Sequence, residues 1–436
     1  MCKRCVVAPA ARACAKATVA IPQRLPTLCF REDVPMQFDF TTMLDRAGKD
    51  ALAIDGLGLR GLPGAPKDGF DAIPMWVADM NFATAPSITQ AIIERAQHPA
   101  FGYFFVSDEY YQAIIDWQRM RNDVEGLTRH DIGYENGVLG GLVSALEAFT
   151  SPGDKVLVNS PTYIGFTGSI EGAGRRIERS PLVRDAEGTW RLDFADMERR
   201  IVKNHIHLAV FCSPHNPTGR VWERWELEQA AALFAKHRVV VVCDEIWSDL
   251  TLDGHKHIPF QQVSDEARRS TIALYAPSKT FNLAGLVGSY HVVYDKYLRD
   301  RLVAAGKRTH YNEMNVLSMH ALVGAYSQTG AAWVDELRKV LSENAAFACD
   351  HIAANYPGVD FARPQGTYML FLDCEGWCRA HGKTIDELQR VGWDVGVAWQ
   401  DGRPFAGEWT IRMNLALPTS RVREAFRRLD EHVFVG

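Results

Sequence analysis

The amino-acid sequence predicts an α/β protein in which a large domain with a mostly parallel sheet is joined to a smaller α+β domain. Three observations carry that expectation. From about Ala83 to Tyr290, short apolar runs ending in turn residues alternate with helical patterns such as Trp225–Phe234, which is how strand–helix units build a parallel sheet. Several of those runs stop at a polar residue capable of chemistry, at the place where open α/β sheets collect their ligands. Beyond Leu317 the pattern becomes one long helical stretch to about Ala354, followed by the strand-like runs Tyr368–Leu372 and Val395–Ala398. The segment before Asn81 is expected to join this last part. The expected division is 36–80 with 316–436 as the small domain, 81–315 as the large one, and 1–35 as an extension outside the core.

Each element follows from its residues. Met1 to Phe30 carries Lys3, Arg4, Arg12, Lys16 and Arg24 and no acid, so it reads as a basic extension, with Met36 opening the folded protein. Cys2 and Cys5 form a CxxC without the second pair that a zinc site needs. Arg12 and Lys16 break the apolar stretch that a secretory signal requires. Gly56–Gly61 spells a dinucleotide fingerprint, but Leu62–Pro66 follows where the motif needs a helix, so a loop is expected. Phe101–Phe105 is an aromatic cluster in a loop-like segment, either an interface or a core cluster.

Glu135–Leu142 opens a helix on a glycine, with apolar Leu139, Leu142, Val143 and Leu146 behind it, and free N–H groups at such a start suit an anion. The strand-like run Lys155–Val158 leads to Tyr163, and His207–Phe211 leads to Cys212-Ser-Pro-His-Asn216-Pro-Thr-Gly-Arg220. Val239–Cys243 runs into Asp244-Glu-Ile-Trp247, and Thr271–Tyr275 into Ala276-Pro-Ser278-Lys279-Thr-Phe-Asn282. Taken singly, Asp244 reads as a helix cap and Asn216 as a turn residue. Arg412 alternates out of the apolar run Trp409–Asn414, and its guanidinium fork suits a carboxylate.

Composition narrows the classes. A chain of 436 residues with 47% hydrophobic content builds a large core, and a net charge of −5 gives no basic footprint for nucleic acid. No apolar stretch approaches the length of a membrane span. Nine cysteines without framework spacing suggest a reduced cytoplasm. The pairs His205/His207 and His255/His257 lack a third ligand, so no metal is expected, and no Gly-x-Ser-x-Gly elbow marks a serine hydrolase.

Asn216 in Asn-Pro-Thr-Gly, Asp244 at a strand end and the Ser278-Lys279 pair together resemble the fold-type I pyridoxal-phosphate enzymes, the class I/II aminotransferase superfamily. The resemblance runs from about Phe38 to the C-terminus. It implies that Lys279 holds pyridoxal 5'-phosphate as a Schiff base and later acts as the base at Cα, and that Asp244 pairs the ring nitrogen. Asn216 would meet the ring's phenolic oxygen, Tyr163 would stack on the ring, and Val138, Leu139 and Ser278 would hold the phosphate. Arg412, with Asn216 and Ala78, would bind the amino-acid substrate. Trp247 would lie near the cofactor where the family usually has Tyr or His; indole only donates a hydrogen bond.

Pro74–Phe82, Phe101–Tyr103 and Ala276–Gly285 are similar to the cystathionine β-lyase and cysteine-S-conjugate β-lyase subgroup. That implies a homodimer in which Tyr103 reaches the neighbouring subunit's cofactor phosphate. Val287 stands where many aminotransferase relatives have a phosphate-binding arginine; Asn81 and Leu415–Thr419 also depart from the pattern, which bears on the substrate. The implied activity is carbon–sulfur lysis giving pyruvate, ammonia and a thiol. An aminotransferase needs the same residues, and a pyridoxal-sensing regulator is a third reading.

Overall fold

The computed structural model describes residues 38–309 and 313–435. The basic extension 1–35, with its CxxC, and Met36 lie outside the described residues.

Buried strands assemble a seven-stranded sheet in the order Ile132–Asn136, Gly288–Val292, Thr271–Tyr275, Val240–Asp244, Leu208–Cys212, Lys155–Ser160 and Arg176–Pro181. The continuous apolar runs are what a sheet covered on both faces requires. Leu208–Cys212 and Thr271–Tyr275 are buried at every position. Alternate side chains enter opposite layers. Ala209 and Phe211 pack with Leu227, Ala230 and Phe234 of the helix Arg224–Lys236. Leu208 and Val210 pack with Leu142 and Leu146 of Val138–Phe149 and Leu302 of Lys296–Thr309.

Six strands share one direction, and Gly288–Val292 runs against both its neighbours. The sequence pattern implied strand–helix units throughout this region. Only the short helix Pro277–Thr280 and the turn Ala284–Leu286 separate Tyr275 from Gly288, so the chain lacks the crossover helix of a parallel return.

A second sheet, in the order Ile73–Met75, Val397–Asp401, Thr410–Asn414, Met369–Asp373 and Asp360–Phe361, combines an early strand with four late ones. The helices Gln328–Asn355 and Thr419–His432 join its core through Leu337, Leu341, Val422 and Phe426. Two expected elements shift. The long helix from Leu317 is two helices, Val316–Ala325 and Gln328–Asn355. They part where Tyr326 turns to stack on Trp117, ring centroids 4.6 Å apart, and where the Ser327 side chain caps the second helix at Gly330 N–H. The strand expected at Val395–Ala398 begins at Val397, because Val395 closes the helix Ile385–Asp394 and Gly396 adopts φ +85°. A Cβ there would lie 2.2 Å from the Asp71 carbonyl oxygen, so only glycine makes that turn.

Among the described residues no helix is long and apolar enough to cross a membrane, and no group of three or more His, Cys, Asp or Glu side chains forms a metal cluster. His257 instead bonds buried Glu245 at 2.8 Å, and the Tyr275 hydroxyl donates to the same carboxylate at 2.6 Å.

Candidate active site

The carboxyl ends of the parallel strands border a cavity of about 290 Å³. Asp244 ends Val240–Asp244 beside Cys212, its register partner, and Gly288 pairs with Asn136 at the same edge. The cavity is lined by Ala78, Val138, Leu139, Tyr163, Asn216, Asp244, Trp247, Ser278 and Lys279, the expected single-chain set except Arg412. Asn136, Gly137, Ile246, Ala284, Val287 and Gly288 complete it.

Lys279 follows the strand Thr271–Tyr275 on the one-turn helix Pro277–Thr280, and its Nζ donates to the Ala78 carbonyl oxygen at 2.8 Å. Burial, helped by the Arg412 charge, pushes its ammonium down to about 8 against the opposing pull of Asp79 and Asp244. Asp244 is pushed up to about 7 by burial, while the Ile246 N–H, donating to its Oδ1 at 3.0 Å, and the charge of Lys279 act in the other direction. An acid and a base therefore face one cavity with their ordinary pKa values drawn toward neutrality, a mark of functional sites.

Arg412 stands at the centre of the buried strand Thr410–Asn414. Its Nη1 donates to Asn216 Oδ1 at 3.0 Å, and its Nη2 to the Trp76 carbonyl at 3.1 Å and to Gln400 Oε1. Its Nε is buried with no partner among the described residues. Asn216 is thus the bridge between the cavity and the guanidinium. Its loop is closed by His215 N–H to the Arg220 carbonyl at 2.8 Å, and Arg220 is anchored on buried Glu226 and on Glu223.

One wall is a strap, Trp76–Asn81, whose carbonyls are nearly all taken. Asn414 Nδ2 donates to the Val77 and Asp79 carbonyls, both at 2.6 Å, and Asn282 Nδ2 to that of Met80 at 2.9 Å. The Ala78 carbonyl accepts from Tyr368 Oη at 3.0 Å as well as from Lys279. Arg46 pairs with the Asp79 carboxylate and also donates to the Met80 carbonyl at 3.1 Å. Trp247 is buried edge-on to Tyr368, centroids 4.8 Å apart, with Lys279 Nζ 5.8 Å from its ring centre.

The opposite wall begins the helix Val138–Phe149, whose first turn faces the cavity behind Gly137. Tyr163 is held over Gly165, where a Cβ would lie 2.4 Å from its ring. Tyr103 lies outside its own chain's cavity. It is fully exposed in a loop beside Phe101 and Phe105, and with Phe104 and Met314 it borders a separate surface depression. Tyr368, Arg46, Asn282, Asn414 and Gln400 were not singled out as functional from the sequence. A pattern of polar residues on otherwise apolar strands is the only signal that pointed toward Asn414, two residues from Arg412.

The chain is similar to known proteins along most of its length. The family model described as aminotransferase class I and II matches residues 72–429. Cystathionine beta-lyase PatB of Bacillus subtilis (strain 168) is 35% identical over 362 residues, 82% of this chain and 92% of that protein. Protein MalY of Escherichia coli (strain K12) is 31% identical over 394 residues, 89% of this chain and 96% of that protein. The crystal structure of a PLP-bound C–S lyase from Staphylococcus hominis superposes with a TM-score of 0.82 at 26% identity, covering 92% of this chain and 99% of that one.

Proposed function

The chain belongs to the class I and II aminotransferase family, and from that footing we propose that it is a pyridoxal-phosphate-dependent carbon–sulfur β-lyase. Its substrate is L-cystathionine or a related cysteine S-conjugate, which with water gives pyruvate, ammonia and a thiol. The observation that carries the pyridoxal-phosphate chemistry is the convergence of Lys279, Asp244 and Asn216 on one cavity, with an Arg412 Nε behind it that has no partner among the described residues. The names of the relatives point to the same reaction.

The residues present fit the cofactor: a primary amine, a buried carboxylate, an amide, an aromatic ring and a helix N-terminus line the cavity. When bound, pyridoxal phosphate supplies a carbonyl carbon for amine exchange and a pyridine ring that accepts the electron pair released at the substrate Cα. The Val138 and Leu139 amides with the Ser278 hydroxyl would hold its phosphate. Tyr163 would cover the ring face and Trp247 enclose the ring, while Asn216 would donate to the phenolic oxygen and Asp244 would hold a proton at the ring nitrogen. Arg412 fixes the substrate α-carboxylate, aided by Asn216 and the Ala78 backbone. Lys279, with an ammonium pKa near 8, is partly the free amine at neutral pH and takes the Cα proton. With that proton gone, the Cβ–S bond breaks and the sulfur leaves as thiolate.

Purified protein given cystathionine is expected to release pyruvate and thiol in equal amounts. An aminotransferase is the second reading, because the matching family model carries that description; amino-group transfer to an oxo-acid, with no thiol released, would replace the lyase by it.

The proposal includes a small domain of 36–80 with 316–436, a large one of 81–315, and a homodimer in the cytoplasm. The cysteines Cys212, Cys243, Cys349, Cys374 and Cys378 are free and buried, as a reducing setting allows. In the dimer Tyr103 serves the neighbour's cofactor phosphate, which accounts for so exposed an aromatic cluster. Mixing an inactive Tyr103 variant with Lys279→Ala under subunit exchange is expected to restore up to about a quarter of the activity, since half the dimers are hybrids with one intact site. A monomer, or no recovery despite proven exchange, would confine Tyr103 to its own subunit.

A further inference from the structure

The Ala78 carbonyl oxygen accepts two hydrogen bonds at once, from Lys279 Nζ at 2.8 Å and from Tyr368 Oη at 3.0 Å. A carbonyl has two lone pairs, so both donors fit, but they are not independent. The positive end of the Tyr368 O–H dipole points at the oxygen on which an ammonium would rest. In a site this buried that repulsion is weakly screened. Tyr368 cannot turn away: its ring is fully buried, packed edge-on against Trp247, and it directly precedes the strand Met369–Asp373. The carbonyl is equally fixed, because the Val77 and Asp79 carbonyls on either side of it both accept from Asn414 Nδ2, and Arg46 pairs with the Asp79 side chain.

We infer that Tyr368 is a positioning residue for Lys279: by filling the second acceptor site of the Ala78 carbonyl, its hydroxyl biases the lysine toward the neutral amine. The inference rests on the reading of Lys279 as the base at Cα. In Tyr368→Phe the carbonyl is left wholly to the lysine, the ammonium gains, and less amine is present at neutral pH. The other charged groups facing Lys279 are Asp244 at the neighbouring strand end, Asp79 on the strap with its partner Arg46, and Arg412. None is altered by the substitution. The Tyr368 hydroxyl itself stays protonated throughout, since burial pushes it well above its ordinary range.

The test reads the lysine directly. In cofactor-free full-length protein, the pH dependence of Lys279 acetylation by acetic anhydride, followed on its peptide by mass spectrometry, gives the midpoint for amine formation. Tyr368→Phe is expected to raise that midpoint by about 0.5–1 pH unit, the size expected for one lost dipolar contact beside a charge. The acid limb of the kcat profile of the loaded enzyme, which reports the substrate-bound state in which Lys279 is a free amine, is expected to move by a similar amount in the same direction. Site-specific 3-fluorotyrosine at position 368, a stronger donor of nearly unchanged size, is expected to lower the midpoint, and it keeps the test alive if the phenylalanine variant fails to fold. Tyr356→Phe is the control, since it removes a buried hydroxyl bonded to Asp430 at 2.7 Å, outside the site. A midpoint unmoved or shifted the other way in either Tyr368 protein, or moved equally by Tyr356→Phe, overturns the inference. Such a result in a protein that still releases pyruvate and thiol leaves the lyase reading standing. Absence of those products with the shift present fails the lyase reading alone.

Discussion

Lys279→Ala is expected to lower thiol release by about 10³-fold or more, because the one group placed to take the Cα proton is removed. The protein should also lose its yellow colour and its borohydride-fixable lysine; labelling of another lysine in the wild type would refute the assignment. Folding is expected to improve slightly. The Lys279 ammonium is depressed to about 8 from an ordinary 10.5 by burial, so below about pH 8 the folded state bears the full cost of a buried charge. Between about pH 8 and 10.5 the unfolded chain binds more protons at this site than the folded one, and stability rises with pH. Denaturant titrations of cofactor-free wild type and Lys279→Ala should therefore differ most at neutral pH and converge by about pH 10.5. A constant difference across that range would mean the lysine is less buried than its position indicates.

Asp244→Ala is expected to cost about 10²–10³-fold in turnover, comparable to deleting a preorganised electrostatic partner of a developing charge, with weaker retention of the cofactor. Near-normal turnover would reduce Asp244 to a cap for the Ile246 N–H. Its linkage has the opposite sign to that of the lysine. Burial raises its folded value to about 7 from 3.8, so without a pairing cation its stabilising proton is fully present below about pH 3.8 and lost as pH rises through 7. The cofactor-free wild type should lose stability over that interval relative to Asp244→Ala. A pyridinium opposite the carboxylate removes the penalty, so the loaded wild type should lose much less.

Lys279, Asp244 and Asn216 were legible in the sequence for one reason. Each directly ends or closely follows an apolar run too continuous to be anything but a buried strand, so each could be placed at the ligand edge of the sheet without knowing the rest. The reversed strand Gly288–Val292 was less legible, because hydrophobic runs do not record direction. The strap and its partners were illegible for a different reason. Tyr368 meets the Ala78 carbonyl across 290 residues and Lys279 meets it across 201. The shared group is a backbone oxygen, identical in every residue type, so no side-chain pattern announces it. Asn414 looked like a strand residue of no particular use until folding brought the strap beneath it.

The strand Thr410–Asn414 carries a consequence for how this protein can vary. Arg412 faces Phe371 on one side and Gln400 on the other in the ladder. Arg412 and Asn414 reach the strap, while Ile411 and Met413 are fully buried in the core. One residue inserted between Ile411 and Arg412 would exchange the two faces. The guanidinium would enter the core, and the Trp76, Val77 and Asp79 carbonyls would lose their donors together. An insertion at the exposed hairpin tip Ala186–Glu187 would meet no such obstacle. Side chains here can be traded one at a time with graded losses; the length of this strand cannot change by a single residue without losing anchor and wall at once.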